Sequence, residues 1–221
     1  MLSFKSYLNE GVNDPAIFKA VFLAGGPGSG KSFIVGKTAL IPMGFKLINP
    51  DPAFEAALKK AGLSTNPEDI FSDEGQEIRA KAKALTNKQM KFALDGRLGL
   101  VIDGTGKDYD KIAQQANELK KLGYDVAMIF VNTDLDTALA RNQQRDRSLP
   151  DAVVSKMWND VQKNIGKFHN LFGGMMTVVD NSDGANYEGA TMSAYRRISK
   201  WIKQKPNKPA AKKWIQVQKG K

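Results

Sequence analysis

Eight consecutive residues, Gly25-Gly26-Pro27-Gly28-Ser29-Gly30-Lys31-Ser32, fit the spacing G-x-x-x-x-G-K-[ST] directly behind the apolar run Lys19 to Ala24. Glycines permit the positive φ angles that turn successive backbone N–H groups inward, so such a stretch makes an anion nest for phosphates. Lys31 adds a point charge, a helix beginning near Lys31 adds its N-terminal dipole, and the Ser32 hydroxyl can ligate a magnesium ion that bridges two phosphates. The competing reading is a glycine-rich turn, but a chance match placed behind a strand is rare. Gly26, Pro27, Gly28, Ser29, Gly30, Lys31 and Ser32, with Phe33 next in the chain, are therefore the candidate nucleotide contacts.

Two carboxylates stand where apolar runs end. Leu100-Val101-Ile102 closes on Asp103, and Leu47-Ile48-Asn49-Pro50 leads to Asp51. Asp103 can hold a magnesium shell, through water, or simply bond backbone N–H groups at a strand end. Asp51, before Pro52, reads equally as a helix N-cap or as the base that orients an acceptor hydroxyl and takes its proton. Hydroxyl phosphorylation needs such a group one strand away from the phosphate nest, and Asp51 is the best-placed candidate. A third group, Arg141, Arg145 and Arg147, ends an amphipathic stretch. It is either a solvated basic helix end or a short lid whose guanidinium groups meet the charge of a transferring phosphoryl.

These residues must be positioned by an α/β layout. Apolar, β-branched segments at Ala20–Ala24, Phe45–Asn49, Leu98–Asp103, Asp125–Asn132 and Met176–Asp180 alternate with helix-period segments, which predicts a doubly wound five-stranded parallel sheet covered on both faces. Ile112, Ala116, Leu119 and Leu122 mark a crossover helix stopped by Gly123, and Val153 to Ile165 mark another behind Pro150. Thr133 with Asp136 is capping-box-like and predicts a helix over Asp134 to about Asp146. Leu63 to Gly75 reads as a loop before a helix around Gln76 to Leu94. In such a sheet the ligand crevice lies beyond the carboxyl ends of the strands, where Asp51 and Asp103 fall.

Taken together, Gly25–Ser32, Asp51, the Val-Ile-Asp-Gly-Thr-Gly segment at 101–106, the arginines at 141–147 and Val179-Asp180-Asn181-Ser182 resemble the P-loop kinases that include the zeta toxins and the bacteriophage-type 5′-hydroxyl polynucleotide kinases. The resemblance covers Ala20 to about Ser182. It implies sheet order 2-3-1-4-5, ATP and Mg²⁺ as cofactors, Lys31 and Ser32 on phosphate and metal, Asp51 as general base, and Arg141, Arg145 or Arg147 as clamp. It also implies that the loop at Asn181 lies near the nucleotide base. An arginine closely following the base, common in this group, is not found after Asp51.

Composition bounds the remainder. The 221 residues contain no cysteine and one histidine, His169, which excludes a disulfide framework, thiolate chemistry and a histidine metal cluster. No apolar run reaches the ~18 residues of a bilayer span, and a soluble, cytoplasmic protein is expected. The net charge of +10 lies entirely in Arg196 to Lys221, which holds ten basic residues and no acidic one. The expected organisation is an N-terminal helical extension over 1–18, a kinase domain over 19–202 with its lid at about 141–150, and a mobile basic tail over 203–221. That tail, with Trp201 and Trp214, suits a nucleic-acid backbone, though a solubilising tail or an anionic-membrane contact fits as well.

The leading expectation is a Mg-ATP-dependent kinase acting on a polynucleotide 5′-OH. The alternatives are a zeta-toxin-like kinase of a nucleotide sugar or other small hydroxyl substrate, and a non-catalytic ATP-switched protein that attaches to nucleic acid or an assembly.

Overall fold

The computed structural model describes residues 11–144 and 148–220 of the chain. Five strands, β1 (Lys19–Ala24), β2 (Lys46–Ile48), β3 (Leu100–Asp103), β4 (Asp125–Asn132) and β5 (Met176–Asp180), form one parallel sheet in the order β2-β3-β1-β4-β5. The fold class and the strand order are those expected. The helices are α1 (Lys31–Lys37), α2 (Asp51–Lys60), α3 (Pro67–Phe71), α4 (Asp73–Asp95), α5 (Tyr109–Lys121), α6 (Leu135–Gln143), α7 (Asp151–Gln162), α8 (Ile165–Phe172), α9 (Tyr187–Ile202) and α10 (Pro209–Lys219).

The two faces of the sheet bury alternate residues, as a strand period of two requires. Phe22, Leu100, Met128 and Phe130 pack with Ala116 and Leu119 of α5 and Phe168 and Phe172 of α8. Val21, Leu23, Val101, Ile129 and Val131 pack on the other side with Ile34 of α1 and Ala194, Ile198 and Trp201 of α9. Each such side chain, fully buried, contributes roughly 1.5–3 kcal/mol, so the sheet is a rigid platform for whatever its strand ends carry. A satellite cluster of Phe54, Leu58, Ile70 and Ala82 ties α2 and α3 to α4 beside the β2 edge.

Three local expectations are corrected. The polar stretch 63–75 is not all loop: Asn66 caps α3 by accepting from Asp69 N at 2.7 Å, and Ser72 caps α4 by accepting from Gly75 N at 3.0 Å. Thr133 is not the cap of α6; Asp134 is, through Thr137 N at 2.7 Å and Thr137 Oγ1 at 2.8 Å. The helix behind Pro150 ends at Gln162, and Ile165 opens a separate helix after buried Asn164.

The basic C-terminal segment is not all irregular tail: Pro209–Lys219 form a helix docked on the body. Pro206 and Pro209 do stop α9 from continuing, yet Pro209 then serves as the first residue of α10. Ala211 is fully buried, and a side chain on Gly123 would meet Ala211 N at 2.8 Å, so the glycine that ends α5 also admits α10. Trp214 meets Phe18 edge-on at 5.6 Å between centroids, Arg97 lies over the same indole, and Lys208 reaches both Tyr124 O and, at 3.2 Å, Asp125. Trp201 is buried too, its ring 5.1 Å from the Lys19 ammonium. Trp201 is thus removed as a stacking platform for bases, and Trp214 is half-buried against the core. Of the proposed N-terminal extension, residues 1–10 lie outside the described residues; 11–13 form a single 3₁₀ turn and 14–18 are built into the core, with Ala16 and Phe18 fully buried.

Candidate functional site

The chain turns from β1 into α1 through the Gly25–Lys31 loop, and packing dictates glycine at its centre. Gly28 has φ +73°, and a Cβ there would stand 2.5 Å from Ala138 O of α6. The loop is held from outside as well. Asn181, buried at the end of β5, donates from Nδ2 to Ser29 O at 2.8 Å, and its own N–H donates to Asn132 O at the end of β4. The Lys31 ammonium donates to Gly25 O at 3.0 Å, folding the side chain over the nest. Ser29 Oγ is buried without a hydrogen-bond partner.

Beside this loop lies the end of β3. Asp103 Oδ2 accepts from Asn49 Nδ2 at 2.8 Å, whereas Oδ1 is buried and has no hydrogen-bond partner. Burial is the largest influence on this carboxyl and pushes its pKa up; Lys31 nearby opposes the rise, while the negative charge of Asp51 adds to it. The two candidate carboxylates and the lysine are thus electrostatically coupled, as one site. A partly buried carboxylate oxygen left open beside a phosphate nest, with the Ser32 hydroxyl on the adjoining helix turn, fits magnesium. That ion uses one or two protein oxygens and takes its other ligands from phosphate and water. No cluster of three or more His, Cys, Asp or Glu able to hold a metal occurs among the described residues.

Asp51 is exposed, and it is the first residue of α2 rather than its cap. Pro50 occupies the cap position and makes no side-chain cap bond; the Asp51 N–H donates to Asn49 Oδ1 at 2.8 Å. Its carboxylate is therefore not consumed in capping. Asn49 was not anticipated from the sequence. One amide spans the ends of β2 and β3 and the start of α2, bonding Asp103 with its nitrogen and Asp51 with its oxygen.

A cleft of about 520 Å³ opens on the β2–β3 side of the loop. Pro50, Ile48 and Asp103 form one wall, Thr86 and Asn87 of α4 another, and Gly104 to Asp108 the third. Lys83, Lys107 and Lys111 also line it, and none of the three makes an ion pair among the described residues. They come from α4, the β3–α5 loop and α5. The β3–α5 loop is fixed by Asn164, whose Nδ2 donates to Gly106 O at 3.0 Å and Lys107 O at 2.9 Å. No spacing rule links Asn164 to those carbonyls or the three lysines to each other, and the sequence carried no signal for them.

Arg141 lies near the last turn of α6 and is engaged away from the cleft. Nη1 donates to Asn181 O and Nη2 to Asp183 Oδ1, both at 2.8 Å. The structure so brings Arg141 and Asn181 together on the flank of the loop opposite the cleft. Arg145 and Arg147 lie outside the described residues. The base of their segment is closed by buried Asn142, which donates to Leu149 O at 2.7 Å and accepts from Leu149 N at 3.0 Å. His169 is exposed on α8.

Comparisons with known proteins agree with this geometry. The family model for zeta toxins matches residues 12–188. Among solved structures, a chain of the PezAT chromosomal toxin–antitoxin system of Streptococcus pneumoniae superposes with TM-score 0.56 at 16% identity, covering 100% of this chain and 96% of that one. The AvrRxo1-ORF1:-ORF2 complex with ATP gives TM-score 0.55 at 20% identity over 80% of this chain, which spans 61% of the chain it matches. A gluconokinase from Sinorhizobium meliloti gives 0.50 at 13% identity, over 84% of this chain and 96% of that one. At such identities these structures establish the shared P-loop kinase fold. No curated protein sequence matches this one.

Proposed function

The chain belongs to the zeta toxin family, and from that premise we propose that it is an ATP-dependent kinase that phosphorylates a hydroxyl on a small, phosphate-bearing acceptor of the nucleotide-sugar class. The observation that carries the acceptor class is the cleft beside Asp103. It is the right size for a small ligand, and its three unpaired lysines suit an acceptor that is already anionic. A polynucleotide end has the same chemistry, but the support for it came from the basic tail. Its helix, α10, packs at the amino ends of the strands, against Phe18, Tyr124 and Asp125. The cleft is at their carboxyl ends, roughly 20 Å away along β4.

In this reading the loop N–H groups and Lys31 hold the β- and γ-phosphates, and Lys31 exchanges its bond to Gly25 O for phosphate oxygens. Ser32 and Asp103 would hold magnesium, which when bound would supply charge neutralisation at the phosphate oxygens. Asp51, aimed by the bond from its N–H to Asn49, accepts the acceptor's hydroxyl proton. The acceptor oxygen forms its bond to the γ-phosphorus as the bond from that phosphorus to the β,γ-bridging oxygen breaks, and ADP departs. The fixed donors to the equatorial oxygens would come from Arg145 or Arg147, or from Arg141 only if it leaves both Asn181 O and Asp183 and crosses from its present flank of the loop.

Label transfer from γ-labelled ATP onto a panel of UDP-sugars, nucleosides, and DNA and RNA 5′ ends tests the assignment. Transfer to a UDP-sugar, with a KM that rises at least tenfold when Lys107 and Lys111 are both changed to Gln, is the expected result. Efficient labelling of nucleic-acid ends and none of UDP-sugars would overturn the acceptor class. Changing Lys212, Lys213 and Lys219 to Gln on α10 should leave that KM unchanged.

A further inference from the structure

Directly after Ser32, α1 presents Phe33, whose ring is 48% exposed although it adjoins the phosphate loop. Two contacts fix its orientation. Tyr187, the first residue of α9, meets it edge-on with centroids 5.7 Å apart and planes at 67°, and the Lys37 ammonium one turn along α1 lies 5.4 Å from its centroid. An aromatic side chain this exposed forgoes about half of its burial energy, while its freedom to move away is already restricted. Such a ring is prepared for a flat partner.

The direction of the bound nucleotide follows from what flanks the loop. The cleft with Asp103 and the lysines is on the β2–β3 side, so the reacting γ end of a triphosphate must face that way. The nucleoside end must then emerge on the opposite flank. There α9 packs against β5 and α1, and Asn181, a few residues before Tyr187, is tied to Ser29 of the loop. Phe33 and Tyr187 stand on that flank, on the helix that begins inside the loop and on the helix that follows its strut.

We infer that Phe33 and Tyr187 form the shelf that receives the nucleobase, with Phe33 stacking on it and Tyr187 bracing Phe33 from the edge. This rests on the nucleotide reading above and adds to it the residues that hold the nucleoside half. Stacking accepts any base with a π face, so it contributes affinity for the nucleoside and nothing to the grip on phosphates.

The test separates those two halves by binding, with no turnover involved. ATP and inorganic tripolyphosphate, each with magnesium, are titrated calorimetrically into the full chain and into Phe33→Ala, Phe33→Trp and Tyr187→Ala. Phe33→Ala should weaken ATP roughly ten- to hundredfold and leave tripolyphosphate unchanged. Phe33→Trp should bind ATP as the wild type does. Tyr187→Ala should weaken ATP alone, by less than Phe33→Ala does. Unchanged ATP affinity in Phe33→Ala, or equal losses for ATP and tripolyphosphate, would overturn the shelf. Failure of the wild type to bind either compound would instead overturn the nucleotide reading, and the shelf with it.

Discussion

The two ends of the sheet are built on opposite principles. At the amino ends, most polar groups are matched and covered: Lys19, 1% exposed, pairs with Asp125 at 2.7 Å, Lys208 joins the same carboxylate, and Tyr124 Oη donates to Leu98 O at 3.1 Å beneath α10. At the carboxyl ends, Ser29 Oγ, Asp103 Oδ1 and Thr133 Oγ1 are buried without hydrogen-bond partners, Lys31 is satisfied by a loop carbonyl, and three lysines ring an open cleft. Unmatched buried polar atoms are costly. Asp14 Oδ2 and Arg97 Nε at the amino ends also lack hydrogen-bond partners, but Asp14 lies 3.7 Å from Lys46 and Arg97 lies against Trp214 of α10. The three at the carboxyl ends instead border the phosphate loop and cleft, where ligand atoms can complete them.

Substitutions at the two ends should consequently differ in kind. The largest effect is expected from Asp51→Asn at the open end: a 10²–10⁴-fold loss of transfer, with ATP affinity and melting temperature unchanged, measured by single-turnover kinetics and calorimetry. At the sealed end Asp125→Ala should cost about 3 kcal/mol, because it strands a buried lysine charge, seen as a lower urea midpoint with activity per folded molecule retained. A large activity loss in that variant at full folding would break the contrast. Asn49→Ala frees the Asp103 carboxylate and the Asp51 backbone N–H. It should lower turnover about tenfold and raise the magnesium needed for half-maximal rate, while costing only about 1 kcal/mol of stability.

The smallest effect sharpens the contrast through pH. Burial pushes the Tyr124 phenol well above its usual range. A pKa raised by folding means the native state keeps a proton the unfolded chain gives up. The resulting stability is complete below about pH 10 and is lost as pH rises beyond it. Tyr124→Phe should cost about 1 kcal/mol at pH 7 and flatten the fall in stability above pH 10, read from denaturant midpoints across pH.

Much of this was legible in the sequence. Strands buried on both faces read as continuous apolar runs, and the phosphate loop is a local pattern of eight residues, so sheet class and nest follow from neighbours in the chain. What escaped are the amide struts. Asn49, Asn164 and Asn181 bond partners 54, 58 and 152 residues away, and a lone asparagine has no period to reveal it. The C-terminal helix escaped for a related reason. Its lysine-rich composition signals a solvated tail, and only the place left by Gly123 and the ring of Phe18 show why Ala211 and Trp214 are spaced to dock. The cap of α6 was misplaced by one residue, since Thr133 and Asp134 are both capable caps and only tertiary packing turns the threonine inward.

The bond from Asn181 to Ser29 also has a bearing on synthesis. During translation the glycine-rich turn leaves the ribosome early, but the amide that props its carbonyl is 152 positions downstream. A nascent chain still short of residue 181 lacks the amide that props this loop, so the loop gains its full support only after the fifth strand has been made.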